Sequence, residues 1–285
     1  MNLYAIDDRG RVISAGQAVK QRDYQCRECG AVVRLRGGIH RQHHFYHLSH
    51  NRSCVLSGKS LSHLQVQYYL QRILPDNECA LEWRFEEIGR IADVVWFTRM
   101  LVFEVQCSDI TVEEVEKRNA DYQQLGFTVI WILHDHRYNK QKIHPVELFL
   151  RSRTFYYTNI SSDGEGVIYD QYDIIDEGMR KNVVDFVIPD CSKPRDFLFT
   201  DLQHLSLPRG MSRRLERQLF FEGDIVSRCL SGDGKSFVEK LRAVEWHYLS
   251  RKRWKGVMRF FDGTKSVILR LYFGFFRMML ERACR

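Results

Sequence analysis

The sequence predicts a mixed α/β (α+β) protein, and three observations lead to this fold class. Residues 60–133 alternate helical and strand periodicity in the order α-β-β-β-α-β. A cysteine- and histidine-rich segment precedes this stretch, and a basic region with helical spacing follows it. A chain of 285 residues is long enough for two domains or three small ones. The predicted units are a β module over 1–58, a core over 59–144, a connecting region over 145–200 and a helical region over 201–285.

The N-terminal module begins with a predicted β-hairpin. The segments LYAI and RVISA flank a turn at Asp7–Gly10, whose Asp and Gly residues suit a tight reversal. Cys26 and Cys29 then form a C-x-x-C pair, a spacing that lets both thiolates reach one ion. A module this small and this poor in apolar residues needs an additional stabilising element, such as a bound metal ion.

His44 and His47 are the predicted partners of the two cysteines. Two thiolates and two imidazoles complete a tetrahedral site, so Cys26, Cys29, His44 and His47 predict a structural zinc ion. Cys54 is the alternative fourth ligand, in place of His44. A polar surface cluster of histidines is the competing interpretation.

Two helices frame the predicted core. Residues 60–74 carry apolar side chains at helical spacing, with Ser60 or Ser62 as the N-cap. Residues 111–125 begin with a capping sequence and end at Gly126. Such spacing indicates that each helix has one apolar face toward a sheet.

Strands occupy the space between and after these helices. Ala80–Ser108 reads as three strands joined by turns at Ile88-Gly89 and Arg99-Met100, because its residues are largely β-branched or aromatic. Residues 127–133 form a near-continuous apolar run, which is typical of a strand buried on both faces.

The three strands carry acidic residues that can meet. Glu82, Asp93 and Glu104 lie on successive strands, and Gln106 points the same way as Glu104 because side chains alternate along a strand. Buried carboxylates on neighbouring strands repel unless a cation lies between them, and a divalent cation with oxygen ligands is the simple solution. Solvent-facing acids at a sheet edge are the alternative.

Short motifs occur along the chain in a specific order. They are C-x-x-C at Cys26 and Cys29, H-F-x-H at His44–His47, S-x-x-H at Ser60–His63, R-x-A-D-V at Arg90–Val94, E-V-Q-x-S at Glu104–Ser108, K-R-x-x-x-Y at Lys117–Tyr122 and G-F-x-V-I-W at Gly126–Trp131. Together they resemble the competence protein CoiA family over residues 1–140, about half of the chain. The α-β-β-β-α-β stretch resembles a PD-(D/E)xK nuclease core.

The resemblance implies a metal-dependent phosphodiesterase, an endo- or exodeoxyribonuclease. In this interpretation Asp93 and Glu104 hold catalytic Mg²⁺ or Mn²⁺, with Glu82 as a third acidic member. Gln106 stands where the superfamily pattern has lysine, and it cannot accept a proton at neutral pH, although its amide can orient a water. His63 is a candidate base or metal-site partner.

The implied substrate is DNA, single-stranded or branched, handled as incoming DNA or as a recombination intermediate during natural transformation. Lys117, Arg118 and Tyr122 on the second helix are the expected phosphate contacts. Recombination proteins are the expected protein partners. A non-catalytic DNA-binding recombination factor on a nuclease-like scaffold is the first alternative, and a defence nuclease against foreign DNA is the second.

Charge is unevenly distributed along the chain. The net charge is +7, and residues 209–285 contain 18 Lys and Arg against 8 Asp and Glu. Arg251, Lys252 and Arg253 lie among aromatic residues, an arrangement that can hold phosphates and stack on bases. An amphipathic helix with a solvated basic face explains the pattern equally well.

The sequence also leads us to expect neither export nor membrane insertion. The first residues contain no apolar signal segment, and no apolar run reaches about 18 residues, so we expect no membrane contact. The scattered cysteines are typical of reduced thiols, which predicts a cytoplasmic protein.

Overall fold

The computed structural model describes residues 1–38, 41–49, 54, 59–196, 207–216 and 219–252. Its strands are β1 Tyr4–Ile6, β2 Val12–Ser14, β3 Asp23–Gln25, β4 Val32–Gly38, β5 Arg41–His47, β6 Cys79–Phe85, β7 Arg90–Trp96, β8 Leu101–Gln106, β9 Thr128–His134, β10 Phe155–Thr158, β11 Ile168–Tyr169, β12 Asp173–Asp176, β13 Met179–Val183, β14 Asp190–Asp196 and β15 Leu219–Glu222. Its α-helices are α1 Leu61–Ile73, α2 Val112–Gln124, α3 Pro145–Leu150, α4 Ile225–Leu230 and α5 over 234–252, with a 3-10 helix at Arg209–Glu216.

The N-terminal module is a five-stranded antiparallel sheet in the order β2-β1-β3-β4-β5. The predicted hairpin is confirmed, since Tyr4 pairs with Ser14 across the turn. Tyr24 and Phe45 meet edge to face in a small core that also contains Cys26 and Cys54. This core brings Cys26 close to Cys54, near the end of the module.

The central sheet has six strands in the order β11-β10-β9-β8-β7-β6. Strands β8, β9 and β10 run parallel to one another, and the remaining pairs are antiparallel. The predicted α-β-β-β-α-β order is present as α1 to β9, with Ser60 as the N-cap of α1 and Thr111 as that of α2. The same sheet continues past residue 144 through β10 and β11.

Two helices cover the two faces of this sheet, which explains the apolar runs of its central strands. Leu64 and Leu70 of α1 belong to one buried cluster with Phe103, and Val115 of α2 belongs to another with Trp131. Every residue of β8 is buried, as expected for a strand covered on both faces. The sheet therefore holds any polar side chain that it carries in a position shielded from water.

The C-terminal half packs around a buried arginine network. It contains three carboxylates and three guanidinium groups within salt-bridge distance: Glu147, Asp170, Asp173, Arg151, Arg180 and Arg214. Strand β15, inside the region predicted to be mainly helical, pairs antiparallel with β14. Among the described residues, no helix is both long and apolar enough to cross a membrane.

Candidate active site

Three carboxylates, Glu82, Asp93 and Glu104, form what we call the acidic cluster. They come from the adjacent strands β6, β7 and β8, and their residues are 1%, 4% and 2% exposed. The ammonium of Lys59 lies 2.7 Å from Oδ1 of Asp93 and 3.1 Å from Oε1 of Glu82. Burial by itself lowers the pKa of Lys59, but Asp93 and Glu82 outweigh it and raise that pKa above its usual range. Lys59 is therefore a buried cation.

Asp93 is the most heavily bonded carboxylate of the acidic cluster. Besides Lys59, its Oδ1 accepts hydrogen bonds from Nε2 of His63 and Nε2 of Gln67, both at 2.9 Å. Its Oδ2 accepts one from the backbone N–H of Val105 at 2.8 Å. Burial alone raises the pKa of Asp93, yet His63 and Lys59 hold it well below its usual range. Asp93 is therefore ionised.

His63 and Gln67 reach Asp93 because they lie four residues apart on one face of α1. Burial lowers the pKa of His63, so its imidazole is neutral at physiological pH. A neutral ring that bonds a carboxylate through Nε2 carries its proton on that nitrogen, which leaves Nδ1 as the acceptor. The base role predicted for His63 would fall to Nδ1.

Glu82 has a backbone conformation that is unusual for its residue type. Its φ is +46°, and the register of β6 with β7 is the same on either side of it, since Leu81 pairs with Val94 and Trp83 with Ala92. A left-handed residue other than glycine costs about 1–2 kcal/mol, and strained residues of this kind cluster at functional sites. The carboxylate of Glu82 is buried, and its Oε2 accepts the N–H of Leu3 at 2.9 Å.

Glu104 is held by two residues that share a face of α2. Its Oε2 accepts a hydrogen bond from Nη1 of Arg118 at 2.8 Å, and its Oε1 accepts the hydroxyl of Tyr122 at 2.6 Å. Burial raises the pKa of Glu104; Arg118 lowers it and the charge of Asp93 raises it, with a net rise. Burial and Glu104 also raise the pKa of Tyr122, so its hydroxyl remains a donor.

The other residues predicted for this site have different neighbours from those expected. Gln106 is buried and donates through Nε2 to the carbonyl oxygen of Ser108 at 2.8 Å. Lys117 is exposed, since it lies about 100° around α2 from Arg118. Arg118 and Tyr122 thus contact a carboxylate, where a phosphate contact was expected.

Lys59 and Gln67 are the residues of this site that the sequence analysis missed. Lys59 received no role in the sequence analysis, although it directly precedes the N-cap Ser60 and so lies at the start of α1. Gln67 follows the motif residue His63 by four positions. The helical period was the available signal for Gln67, because a residue four positions from a site residue shares its face.

The oxygen donors of the acidic cluster suit a hard divalent cation. Among the described residues, Oδ2 of Asp93 and each oxygen of Glu104 accept one hydrogen bond. A carboxylate oxygen has two acceptor sites, so each of these keeps capacity for a cation. Mg²⁺ prefers one or two carboxylates together with substrate oxygens. Asp93 and Glu104 are therefore the residues that would hold it.

A second polar cluster lies in the N-terminal module. Ligand atoms of Cys26, Cys29, His47 and Cys54 all lie within 4.8 Å of one another. Nε2 of His47 is 3.3 Å from Sγ of Cys29, and the sulfurs of Cys26 and Cys54 are 3.7 Å apart. Three thiolates and one imidazole are a donor set typical of structural zinc.

The prediction of His44 as a zinc ligand is wrong for this cluster. His44 and His47 are three residues apart on the extended strand β5, so their side chains point to opposite faces. Nδ1 of His44 bonds the carbonyl oxygen of Gln42 at 2.9 Å. The alternative residue Cys54 belongs to this cluster in place of His44.

The basic residues predicted to bind substrate near the C-terminus lie on helix α5. Arg251 and Lys252 are exposed, and Lys252 pairs with Asp176 of β12 at 2.7 Å. Arg253 lies outside the described residues. In the described part of this region, Lys252 contacts Asp176, whereas the acidic cluster has Lys59 and Arg118 as its cationic partners.

A protein-family model and a known protein show similarity to this chain. Residues 59–172 match the family model described as "Competence protein CoiA, nuclease-like domain". The resemblance to the CoiA family is confirmed. A competence protein CoiA from Bacillus subtilis (strain 168) is 28% identical over 123 residues, which cover 41% of this chain and 33% of that protein. The chain thus spans about a third of the length of that CoiA protein, and no solved structure matches.

Proposed function

We propose that this protein is a metal-dependent DNA nuclease with a PD-(D/E)xK-type core that processes DNA during competence. The observation that carries the proposal is the convergence of three buried carboxylates with one lysine and one arginine inside a CoiA nuclease-like domain. These three buried acids have two cationic partners among the described residues, and an unbalanced buried negative charge is expensive unless it serves a site. DNA, single-stranded or branched, is the proposed substrate.

Each residue has a proposed part in phosphodiester hydrolysis. Asp93 and Glu104 would hold Mg²⁺ or Mn²⁺, with Glu82 as the third acid beside Lys59. The ion, when bound, lowers the pKa of a water and offsets negative charge on the phosphate. Arg118 orients Glu104 and lies close enough to the site to neutralise a phosphate oxygen. Nδ1 of His63 is available to accept a proton.

A non-catalytic DNA-binding factor is the second candidate, and a specific observation favours it. Lys59, His63 and Gln67 already crowd Oδ1 of Asp93, and Gln106 is bonded to Ser108. A site whose acids are so fully paired is stable without a metal. DNA binding that needs no divalent ion would then be the whole activity, with recombination proteins as partners.

Cleavage of single-stranded, duplex and branched DNA with Mg²⁺ or Mn²⁺ separates the two candidates. We expect cleavage by the wild type, none in EDTA, and at least about a 100-fold loss in Asp93→Asn, because removing a metal ligand removes transition-state stabilisation. Asp163→Asn, on an exposed turn, is the matched control and should cleave normally. Tight binding without cleavage of any DNA would leave the non-catalytic candidate.

We further propose that the cysteine cluster holds a structural zinc ion. Four protein ligands leave no open position, so the ion would stabilise the module and take no part in hydrolysis. Cys54→Ser should lower the bound zinc, measured by atomic absorption of the purified protein, from about one equivalent. His44→Ala should retain it. Equal zinc content in the two variants would contradict the assignment of Cys54.

A further inference from the structure

The cation nearest to Asp93 among the described residues is Lys59, which comes from the start of a helix and not from a strand of the sheet. Lys59 comes from the residue before the N-cap of α1, and its side chain is 8% exposed. It makes two contacts with the acidic cluster, one to Glu82 and one to Asp93. The ammonium group has three N–H bonds, and these contacts use two of them.

The charge of the acidic cluster raises a problem for any phosphate substrate. Three buried carboxylates repel a phosphodiester, and the repulsion is strong because little water screens it. Arg118 offsets the charge beside Glu104, while Lys59 offsets it beside Asp93 and Glu82. A phosphate oxygen approaching Asp93 therefore needs Lys59 as its nearest partner.

We propose that Lys59 is a catalytic residue, which bridges Glu82 and Asp93 and donates its third N–H to the reacting phosphate oxygen or to the attacking water. This inference rests on the proposed nuclease function and adds a residue to it. Gln106, two residues after Glu104, has no positive charge to offer and bonds Ser108 instead. The lysine of the site would thus come from the start of α1. In the superfamily pattern the lysine is instead at the position that Gln106 occupies in this chain.

Two features of the structure fix Lys59 where this role requires it. Ser60 caps α1 by accepting the N–H of His63, which sets the start of the helix beside Asp93. The carbonyl oxygen of Lys59 accepts a hydrogen bond from the amino group of Met1 at 3.3 Å. A side chain held at its backbone and at its tip loses little entropy when substrate binds, as preorganised catalysis requires.

In the competing role, Lys59 only neutralises the charges of Glu82 and Asp93, and we call such a residue a clamp. Moving the lysine to another position distinguishes the catalytic role from the clamp role. Lys59→Met removes the charge and keeps the length of the side chain. Lys59→Met combined with Gln106→Lys returns a lysine to the cluster from β8, two residues after Glu104. Lys20→Met, in an exposed position of the N-terminal module, is the matched control.

The experiment measures kcat for DNA cleavage, the Kd for DNA in EDTA and the urea midpoint of each variant. Lys59→Met should lower kcat by at least about 100-fold, as loss of a transition-state donor does, while Kd changes by less than about threefold. The double variant should recover at least about tenfold of the lost kcat. Lys20→Met should match the wild type in all three.

Other outcomes overturn the proposal in distinguishable ways. Lys59→Met that cleaves within about threefold of the wild type removes Lys59 from catalysis and leaves the nuclease intact. No recovery in the double variant reduces Lys59 to a clamp. No cleavage by the wild type removes the nuclease function and this inference together. If Lys59→Met does not fold, Lys59→Gln keeps N–H donors for Glu82 and Asp93 without the charge, and a folded Lys59→Gln that cleaves within about threefold of the wild type would remove Lys59 from catalysis.

Discussion

The acidic cluster and the arginine network bury the same number of carboxylates but differ in their balance of charge. In the arginine network, three guanidinium groups face three carboxylates, and Arg180 contacts both Glu147 and Asp173. In the acidic cluster, Lys59 and Arg118 are the charged partners seen for three carboxylates. The arginine network is neutral, whereas the acidic cluster keeps a surplus negative charge.

We expect this difference to separate a structural role, in the arginine network, from the functional role proposed for the acidic cluster. The charges of the arginine network lower the pKa of Asp173 despite its burial, so the ionised form belongs to the folded state. The pKa of Glu104 is raised instead, by burial and by Asp93, so its ionised form is disfavoured there. A buried negative charge of this kind is stabilised when a ligand of opposite charge binds beside it. A divalent cation is such a ligand.

The largest expected effect is in the arginine network. Asp173→Asn removes the carboxylate between Arg151 and Arg180 and leaves buried positive charge without compensation. We expect the free energy of unfolding in urea to fall by about 3 kcal/mol, as for other broken buried pairs. Asp185→Asn, whose side chain is 98% exposed, should behave as the wild type. A loss no greater than that of Asp185→Asn would make the arginine network unnecessary for stability.

A smaller effect on stability is expected in the acidic cluster, where one negative charge is unbalanced. Glu104→Gln keeps an acceptor for Tyr122 and removes a disfavoured charge, so unfolding in EDTA at pH 8 should change by less than about 1 kcal/mol. DNA cleavage by the same variant should fall by at least about 100-fold. A stability loss as large as that of Asp173→Asn would erase the distinction between the two regions.

The pH dependence of the stability of Glu104→Gln provides a further test. Because the pKa of Glu104 is raised in the folded state, its ionised form weakens the fold above that pKa, and the penalty disappears as pH falls through it. The stability of Glu104→Gln relative to the wild type should therefore decrease from pH 8 toward pH 5 in EDTA. A relative stability that increases over this range would contradict the raised pKa.

The sequence predicted the elements of the core because each is determined locally. Strands β7 and β8 are rich in β-branched and aromatic residues, and Gly89, at φ +61°, makes the turn before β7. The capping residues Ser60 and Thr111 also act within one helical turn. Local rules of this kind locate Asp93 and Glu104 on neighbouring strands.

The contacts of the site could be predicted less well because they join distant parts of the chain. Lys59 meets Asp93 across 34 residues, and Leu3 meets Glu82 across 79. No pattern within one element encodes such a contact. The choice between His44 and Cys54 was different, since the alternation of a strand already places His44 and His47 on opposite faces once β5 is known to be extended.

The left-handed backbone of Glu82 makes this position a compromise between folding and function. Glycine would adopt φ +46° without strain, so Glu82→Gly would relax the backbone of β6 while deleting the carboxylate beside Lys59. The same change would leave the N–H of Leu3 and the ammonium of Lys59 without this carboxylate. Relief of the backbone strain and loss of the buried acid therefore come together, and neither can be changed at this position without the other.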